Sequence, residues 1–289
     1  MRPNLTILPV SGVDVAVWDW PGEGPVLLFA HATGFHGRCW DPIIRELRSR
    51  RAVAIDFRGH GRSGKPAPPY NWREFGEDLA EVARLLDLRG AIGVGHSMGG
   101  HSIALAAGLR PEAFSSLLLI DPTIFERYHY GQPRRHDSSF IRKRRNDWES
   151  PDEMYERFRT RPPFAAWRPD VLRDYCEFGL LREGGRYVLA CPPDVEASIY
   201  AGSNDPRADI YDVLGEIDVP VTVIRGGIPW STEKFDLSAS PTAPDLASRF
   251  RQGRDICLEG RSHYIPMESP ELVVAEVQKV ADGRCVTEG

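Results

Sequence analysis

Short apolar runs alternate along the chain with segments that have helical spacing. Four runs that are apolar nearly throughout occupy residues 25–30, 52–56, 91–94 and 117–121. Such runs are typical of parallel strands that are covered on both faces. Between the second and third runs, Asn71 precedes apolar residues at Phe75, Leu79 and Val82, which predicts a capped amphipathic helix. The alternation predicts an α/β fold, with a mostly parallel sheet covered by helices on both faces.

Both ends of the chain are expected to extend the same sheet. Residues 5–9 and 13–20 predict an opening hairpin at one edge. Residues 219–224 and 255–258 predict two further strands, and a closing helix is expected to begin near Ser269. Together with the four apolar runs, these segments predict a sheet of eight strands.

The stretch from residue 122 to about 214 differs from the rest of the chain, because it has few strand signals and many charged and aromatic residues. A capping box with proline at the first helical position begins at Ser150, and Asp170 is expected to cap a second helix. We therefore predict a helical insertion at 122–214 within a core formed by 1–121 and 215–289.

A serine between glycines ends the third apolar run, in the sequence Gly-His-Ser-Met-Gly-Gly at 95–100. A sharp turn from a strand into a helix strains its central residue, and Gly95 and Gly99 remove Cβ atoms that would collide there. Ser97 is thereby exposed at the tip of the turn, at the start of a helix whose free N–H groups favour negative charge. The pattern predicts that Ser97 is a nucleophile.

A serine hydroxyl needs a base to take its proton, and the chain offers eight histidines. His263 follows the last predicted strand and lies at the same sheet edge as Ser97, so we predict that it is the base. Two N–H groups are needed for the oxyanion of an acyl-transfer intermediate. Met98, directly after the nucleophile, and Thr33, in the loop after the first apolar run, are the predicted donors.

The acid that orients the histidine is harder to assign from sequence. The loop after the strand at 219–224 contains no carboxylate between residues 225 and 231. Asp121 ends the strand that follows the Ser97 helix, and a neighbouring parallel strand brings it to the same edge. We predict that Asp121 is the acid, with Glu233 and Asp236 as alternatives.

At this point the chain resembles the α/β-hydrolase fold superfamily over almost its whole length. The segment at 95–100 resembles the nucleophile elbow of that family, 56–64 its loop after the fourth strand, and 260–266 its catalytic histidine loop. His-Ala-Thr-Gly at 31–34 takes the place of the family's oxyanion loop, with alanine instead of the usual glycine. Some members, including haloalkane dehalogenases, place the acid after the sixth strand, which matches Asp121.

The resemblance implies that residues 122–214 form a cap, or lid, above a pocket at Ser97. The side chains expected to line that pocket are His36, Trp148, Phe164, Trp167, Trp230 and Tyr264. The aromatic residues of the insertion are equally compatible with a core of the cap itself.

The composition of the chain limits the kinds of partner and compartment that we expect. The net charge of −5 provides no basic field for nucleic acid or anionic lipid, which leaves a small molecule as the expected partner. Five cysteines, odd in number and without C-x-x-C spacing, fit thiols in a reducing compartment. No apolar signal core and no stretch of about 18 apolar residues is present, so we expect a cytoplasmic protein with no membrane anchor. Neither a metal nor a cofactor is implied.

The sequence therefore predicts a cofactor-independent serine hydrolase that acts through an acyl-enzyme on an ester of a small apolar substrate. A cofactor-free haloperoxidase or perhydrolase, or a carbon–carbon bond hydrolase, can use the same triad. A receptor that has kept the fold and lost turnover is the alternative outside enzymes.

Overall fold

A computed structural model describes residues 2–133, 139–230 and 236–282. Its strands are β1 Asn4–Val10, β2 Val13–Trp20, β3 Glu23–Ala30, β4 Arg50–Asp56, β5 Ala91–His96, β6 Phe114–Ile120, β7 Leu180–Glu183, β8 Arg186–Leu189, β9 Val221–Gly226 and β10 Gly253–Leu258. Its α-helices are α1 Asp41–Glu46, α2 Trp72–Leu85, α3 Met98–Leu109, α4 Ser139–Arg142, α5 Pro151–Phe158, α6 Pro169–Phe178, α7 Pro193–Gly202, α8 Tyr211–Leu214, α9 Ile265–Glu268 and α10 Pro270–Ala281.

Eight of the strands form one sheet in the order β1-β2-β4-β3-β5-β6-β9-β10. The hairpin of β1 and β2 is antiparallel and pairs with β4 in the antiparallel sense, whereas the pairs from β4 to β10 are parallel. The eight-stranded, mostly parallel sheet predicted from the sequence is confirmed.

Helices cover both faces because the buried stretches of the central strands are mainly apolar. Within β3, Leu28 and Ala30 pack towards α2 and α3, and Leu27 and Phe29 pack towards α1 and α10. This alternation is the two-residue period of a strand, used here to fill two cores at once. The sheet is thereby fixed from both sides, which holds the carboxyl ends of its parallel strands in a constant arrangement.

Local capping follows the sequence in part. Asn71 caps α2 as predicted, and Glu74 completes a capping box there. At the start of α5, Ser150 accepts the N–H of Glu153, but the Glu153 carboxylate accepts the N–H of Glu149, so the capping box predicted at Ser150 is only half formed. The predicted cap Asp170 is instead the second residue of α6, which Arg168 precedes. Pro169 occupies the first helical position, where its missing N–H is not needed, so the helix starts two residues earlier than a cap at Asp170 would allow.

The chain between β6 and β9 contains α4 to α8 and also the two-stranded hairpin of β7 and β8. The hairpin was not predicted, because its strands are only four residues long and carry charged residues next to the turn. A third hydrophobic cluster lies within this segment and against the loops beneath it.

Candidate active site

The turn at Ser97 is strained in the way that the glycine spacing predicts. Ser97 has φ 56° and ψ −119°, a left-handed backbone conformation that is rare for residues other than glycine. A Cβ atom on Gly95 would lie 2.4 Å from the carbonyl oxygen of Gly99, and one on Gly99 would lie 2.1 Å from that of Ala30. Only glycine fits at both positions, and the close packing presents the Ser97 hydroxyl at the carboxyl edge of the sheet.

Ser97, His263 and Asp121 form a buried, triad-like hydrogen-bond network. Ser97 Oγ lies 2.9 Å from His263 Nε2, and His263 Nδ1 lies 2.7 Å from Asp121 Oδ2. The three residues follow β5, β10 and β6, so the parallel strand order brings together residues that are far apart in sequence. The structure places the predicted nucleophile, base and acid in contact.

The Asp121 carboxylate is fully buried and has a partner on each oxygen. Besides the His263 contact, its Oδ1 accepts hydrogen bonds from the N–H of Gly226 at 2.9 Å and from the hydroxyls of Ser240 and Thr242. These donors stabilise a negative charge that burial alone would disfavour. Asp121 also has φ 43°, a conformation that Asp tolerates better than most residues.

Asp236, one of the two alternative acids, does not take this position. Asp236 uses Oδ1 to accept the N–H of Ser238 at 2.8 Å, and Glu233 lies outside the described residues. The structure therefore supports Asp121 as the partner of His263.

The backbone of His263 is held at both ends. Its N–H donates to the carbonyl of Ser238 at 2.8 Å, and its own carbonyl accepts the Nε2–H of His96 at 2.8 Å. The rings of His96 and His263 lie 4.9 Å apart between centroids. Burial holds the pKa of His96 well below its usual value, so this neighbour is neutral and does not oppose a positive charge on His263.

The two predicted oxyanion donors flank Ser97. Met98 is the first residue of α3, and the first intrahelical bond runs from the N–H of His101 to the Ser97 carbonyl, so the Met98 N–H has no acceptor in its own helix. Thr33 is buried, lines the cavity beside Ser97, and contacts the Met98 sulfur through its hydroxyl at 3.4 Å. The N–H of Gly34 already donates to His60 Nε2, which leaves Thr33 as the better-placed second donor of this loop.

Two neutral histidines fix the loop that carries Thr33. His31 accepts the N–H of Phe57 at Nε2 and donates from Nδ1 to the carbonyl of Ala32. His60 accepts the N–H of Gly34 at Nε2 and donates from Nδ1 to the carbonyl of Arg58. Burial lowers the pKa of His31 to about 3 and that of His60 well below its usual value, so both rings keep one acceptor nitrogen near neutral pH.

Sequence reasoning missed one contact to the nucleophile. The Thr123 hydroxyl lies 3.0 Å from Ser97 Oγ, and the Thr123 N–H donates to the Ser97 carbonyl at 3.0 Å. The only sequence signal is its position two residues after Asp121. That signal is weak, because the contact depends on how the chain turns after β6.

A cavity of about 650 Å³ opens at Ser97, Thr123 and His263. Its aromatic lining consists of Trp72, Phe125, Tyr128, His129, Tyr200 and Trp230. Its other polar lining comes from Thr33, Gln132, Ser203, Asn204 and Asp236. No lysine or arginine occurs among the lining residues that the structure describes.

Of the six side chains predicted to line the pocket, only Trp230 belongs to this cavity. Trp230 packs with Phe125 and His129 at centroid distances of 5.4 and 4.8 Å, and Tyr128 packs on His129 at 4.0 Å. We refer to Phe125, Tyr128, His129 and Trp230 as the pocket aromatic group.

The other five predicted side chains, Trp148, Phe164, Trp167, Tyr264 and His36, do not line this cavity. A separate cluster, here called the inner aromatic group, has ring centroids 4.3 to 5.8 Å apart and consists of Trp148, Phe158, Phe164, Trp167 and Tyr175. Tyr264 packs on Trp167 at 5.4 Å. The rings pack against one another because this brings more apolar area out of water than facing an open cavity would.

His36 contacts Tyr175 of the inner aromatic group. Its Nε2–H donates to the carbonyl of Tyr175 at 3.1 Å, and its ring stacks on that of Tyr175. Burial lowers the pKa of His36 to about 4. This histidine joins the loop after β3 to α6 and does not face the cavity.

Within residues 2–133, 139–230 and 236–282, no group of three or more His, Cys, Asp or Glu side chains is arranged to hold a metal ion. In the same ranges no helix is long and apolar enough to cross a membrane.

Comparison with known proteins shows which family the chain resembles. The alpha/beta hydrolase family matches residues 27–276. The chain is 36% identical over 270 residues to a bifunctional esterase/perhydrolase of Acinetobacter calcoaceticus, covering 91% of this chain and 94% of that protein. It is 27% identical over 271 residues to 2-(acetamidomethylene)succinate hydrolase of Mesorhizobium japonicum, covering 90% of this chain and 89% of that protein.

Solved structures agree with the sequence matches. The crystal structure of an E-2-(acetamidomethylene)succinate hydrolase superposes with a TM-score of 0.76 at 21% identity, covering 97% of this chain and all of that one. The fold, the triad-like network and the family match lead to one conclusion: the chain belongs to the alpha/beta hydrolase family.

Proposed function

We propose that the protein is a serine hydrolase that cleaves esters of uncharged, mainly apolar acids through an acyl-enzyme at Ser97. The observation that carries the proposal is the continuous contact from Ser97 Oγ through the His263 imidazole to the buried Asp121 carboxylate. In this arrangement His263 takes the Ser97 proton while Asp121 stabilises the resulting imidazolium. Residues 122–214 act as the cap over the cavity in this proposal.

The N–H groups of Met98 and Thr33 are proposed to bind the oxyanion of the tetrahedral intermediate. Both flank Ser97, and the loop that carries Thr33 is held by two neutral histidines. Donors that are fixed before the reaction need no reorganisation when the charge develops. The strained turn presents the Ser97 hydroxyl next to these two groups, which supports this role.

The lining of the cavity supports an uncharged acyl group. Six aromatic side chains face the cavity, and the described lining contains no cationic side chain. A dicarboxylate would lose hydration there without gaining an ion pair. This differs from what the name of the Mesorhizobium relative implies for that enzyme, whose substrate is a succinate derivative.

Perhydrolysis is a second candidate, favoured by the name of the Acinetobacter relative. The acyl-enzyme would then be attacked by hydrogen peroxide in place of water, which gives a peracid. Measuring peracid formation from an ester in the presence of hydrogen peroxide separates the two outcomes for the same acyl-enzyme.

The nucleophile is tested with a fluorophosphonate probe and a series of p-nitrophenyl esters. The wild type should label, and Ser97→Ala should lose labelling and about a million-fold in kcat. A folded wild type that neither labels nor turns over would reveal a receptor of the same fold and end the proposal.

The acid is tested with a matched pair of substitutions. Asp121→Asn keeps the shape of the side chain and removes its charge, so kcat should fall about ten-thousand-fold. Asp236→Asn makes the same change in a carboxylate that faces the cavity without touching His263, and should cost little. The reverse order would contradict the assignment.

The substrate class is tested with p-nitrophenyl butyrate against the mono-p-nitrophenyl ester of succinic acid. These acyl groups are similar in length, and only the second is anionic. We expect kcat/KM to favour the butyrate. A preference for the succinate would overturn the substrate class while leaving the nucleophile assignment intact.

A further inference from the structure

The hydroxyl of Thr123 lies beside the hydroxyl of Ser97, and the triad gives it no role. Thr123 Oγ1 lies 3.0 Å from Ser97 Oγ, and Thr123 is buried in the cavity wall. Its own N–H is bonded to the Ser97 carbonyl. Side chain and backbone therefore hold the same neighbour, which fixes the hydroxyl against the reacting atom.

The direction of this hydrogen bond follows from counting protons. Asp121 Oδ1 accepts the Gly226 N–H, and Asp121 Oδ2 accepts the Nδ1–H of His263, so His263 Nε2 is the acceptor nitrogen of the neutral ring. The single proton of the Ser97 hydroxyl must then point to Nε2. The Thr123 hydroxyl is consequently the donor to Ser97 Oγ.

We propose that Thr123 is a further catalytic residue, whose hydroxyl stabilises negative charge on Ser97 Oγ each time the bond from that oxygen to the acyl carbon forms or breaks. This inference rests on the proposed acyl-enzyme chemistry. It differs from the oxyanion hole, because it acts on the nucleophile's oxygen and not on the carbonyl oxygen of the substrate.

In acylation, the Ser97 proton moves to His263 Nε2 while an Oγ lone pair forms the bond to the acyl carbon and the carbonyl π electrons move to the carbonyl oxygen. Collapse reforms the carbonyl, breaks the bond to the alcohol, and gives the alcohol the proton from His263. The Thr123 hydroxyl donates to Oγ as its proton leaves, and Thr123 itself is not consumed.

In deacylation, water adds to the acyl carbon and gives a proton to His263. Collapse then breaks the bond between the acyl carbon and Oγ, and the departing Oγ takes the proton from Nε2. Oγ is the leaving group of this step, so a fixed donor lowers its barrier. Thr123 therefore assists both halves of the cycle, whereas a residue that only binds the alcohol would assist one.

The test compares Thr123→Val, which keeps the shape and removes the hydroxyl, with Thr123→Ser, which keeps the hydroxyl. Stopped-flow measurement on p-nitrophenyl butyrate gives the acylation and deacylation rate constants separately. We expect Thr123→Val to lower both by roughly tenfold or more, the range for a hydrogen bond to a charged group. Thr123→Ser should stay within about threefold of wild type, because it retains the donor.

Two controls separate catalysis from packing. Thr222→Val makes the same change at a buried threonine within β9, away from the cavity, and should leave both rate constants unchanged. The pH dependence of kcat/KM should be the same in Thr123→Val as in wild type, because the hydroxyl touches Oγ and not the imidazole. A damaged triad would shift that profile.

Equal rate constants in wild type and Thr123→Val would overturn the inference, as would equal losses in Thr123→Val and Thr123→Ser. Should Thr123→Val fail to fold, Thr123→Ala against Thr123→Ser makes the same comparison. Failure of wild type to react with the fluorophosphonate probe would instead remove the proposed function itself, so the two failures are distinguishable.

Discussion

The inner aromatic group and the pocket aromatic group consist of similar side chains and differ in what covers them. Trp148 and Trp167 of the inner group are 1% and 5% exposed, and their neighbours are other rings. In the pocket group, Tyr128 is 65% exposed and its neighbours border an open cavity. The same residue types thus form a small core in one place and a binding wall in the other.

The difference follows from chain position. The inner group comes from helices and turns between residues 148 and 175, in the middle of the segment between β6 and β9. The pocket group comes from the segments that follow β6 and β9. Asp121 directly follows β6, and Gly226, whose N–H donates to Asp121, ends β9. Proximity to the ends of these strands therefore identifies the pocket wall better than aromatic content does.

The largest expected effect is on stability. Trp148→Ala should lower the free energy of unfolding by about 3–5 kcal/mol, because it opens a cavity in a packed cluster. Tyr128→Ala should change it by no more than about 0.5 kcal/mol, because that ring is mostly in solvent. Urea unfolding followed by circular dichroism measures both. Equal losses in the two variants would erase the distinction between the groups.

A second effect concerns His36, which packs on Tyr175 of the inner group, and His129 of the pocket group. His36 has its pKa lowered to about 4 by burial, from an ordinary value of 6.5 in the unfolded chain. Between these values the unfolded chain binds a proton that the folded chain does not, so stability present above about pH 6.5 is lost as the pH falls towards 4.

His36→Gln removes this titration and can still donate to Tyr175, so its loss of stability between pH 7 and 5 should be about 2 kcal/mol smaller than that of wild type. The control is His129→Gln. His129 is only partly buried and its pKa is lowered less, so this variant should follow wild type more closely. If the free energy of unfolding changed with pH in the same way in wild type and His36→Gln, His36 would not be neutral in the folded protein.

The smallest expected effect is on substrate binding. Trp230→Ala should raise KM for an aromatic p-nitrophenyl ester about tenfold, since one face of the cavity is lost. Trp167→Ala, an equal truncation in the inner group, should leave the order of preference among acyl chain lengths unchanged in the protein that still folds. A change of preference in Trp167→Ala alone would place the inner group at the substrate after all.

These contrasts also show how far sequence reasoning reaches. Strands, helices and the turn at Ser97 could be predicted because hydrophobic period and glycine spacing act locally. Asp121 could be named because one loop lacked a carboxylate and neighbouring parallel strands end at one edge. The structure places Asp121 against His263, and its catalytic role stays a prediction.

The rest depends on contacts between distant segments. Nothing in the sequence distinguishes Trp167, which packs on Tyr264, from Trp230, which faces the cavity. The contact of Thr123 with Ser97 depends on the backbone at Asp121, whose φ of 43° turns the chain back towards the nucleophile. Such contacts arise from tertiary packing, which overrides local pattern.

The position of Asp121, directly after β6, has a consequence for how this protein can diversify. Residues 227–230 follow β9 but carry no catalytic carboxylate, so exchanges at Trp230 can reshape the cavity without displacing the acid. Residues 238–242 are constrained. The carbonyl of Ser238 accepts the N–H of His263, and the hydroxyls of Ser240 and Thr242 donate to Asp121. A library intended to change selectivity should therefore vary Trp230 and keep residues 238–242 fixed.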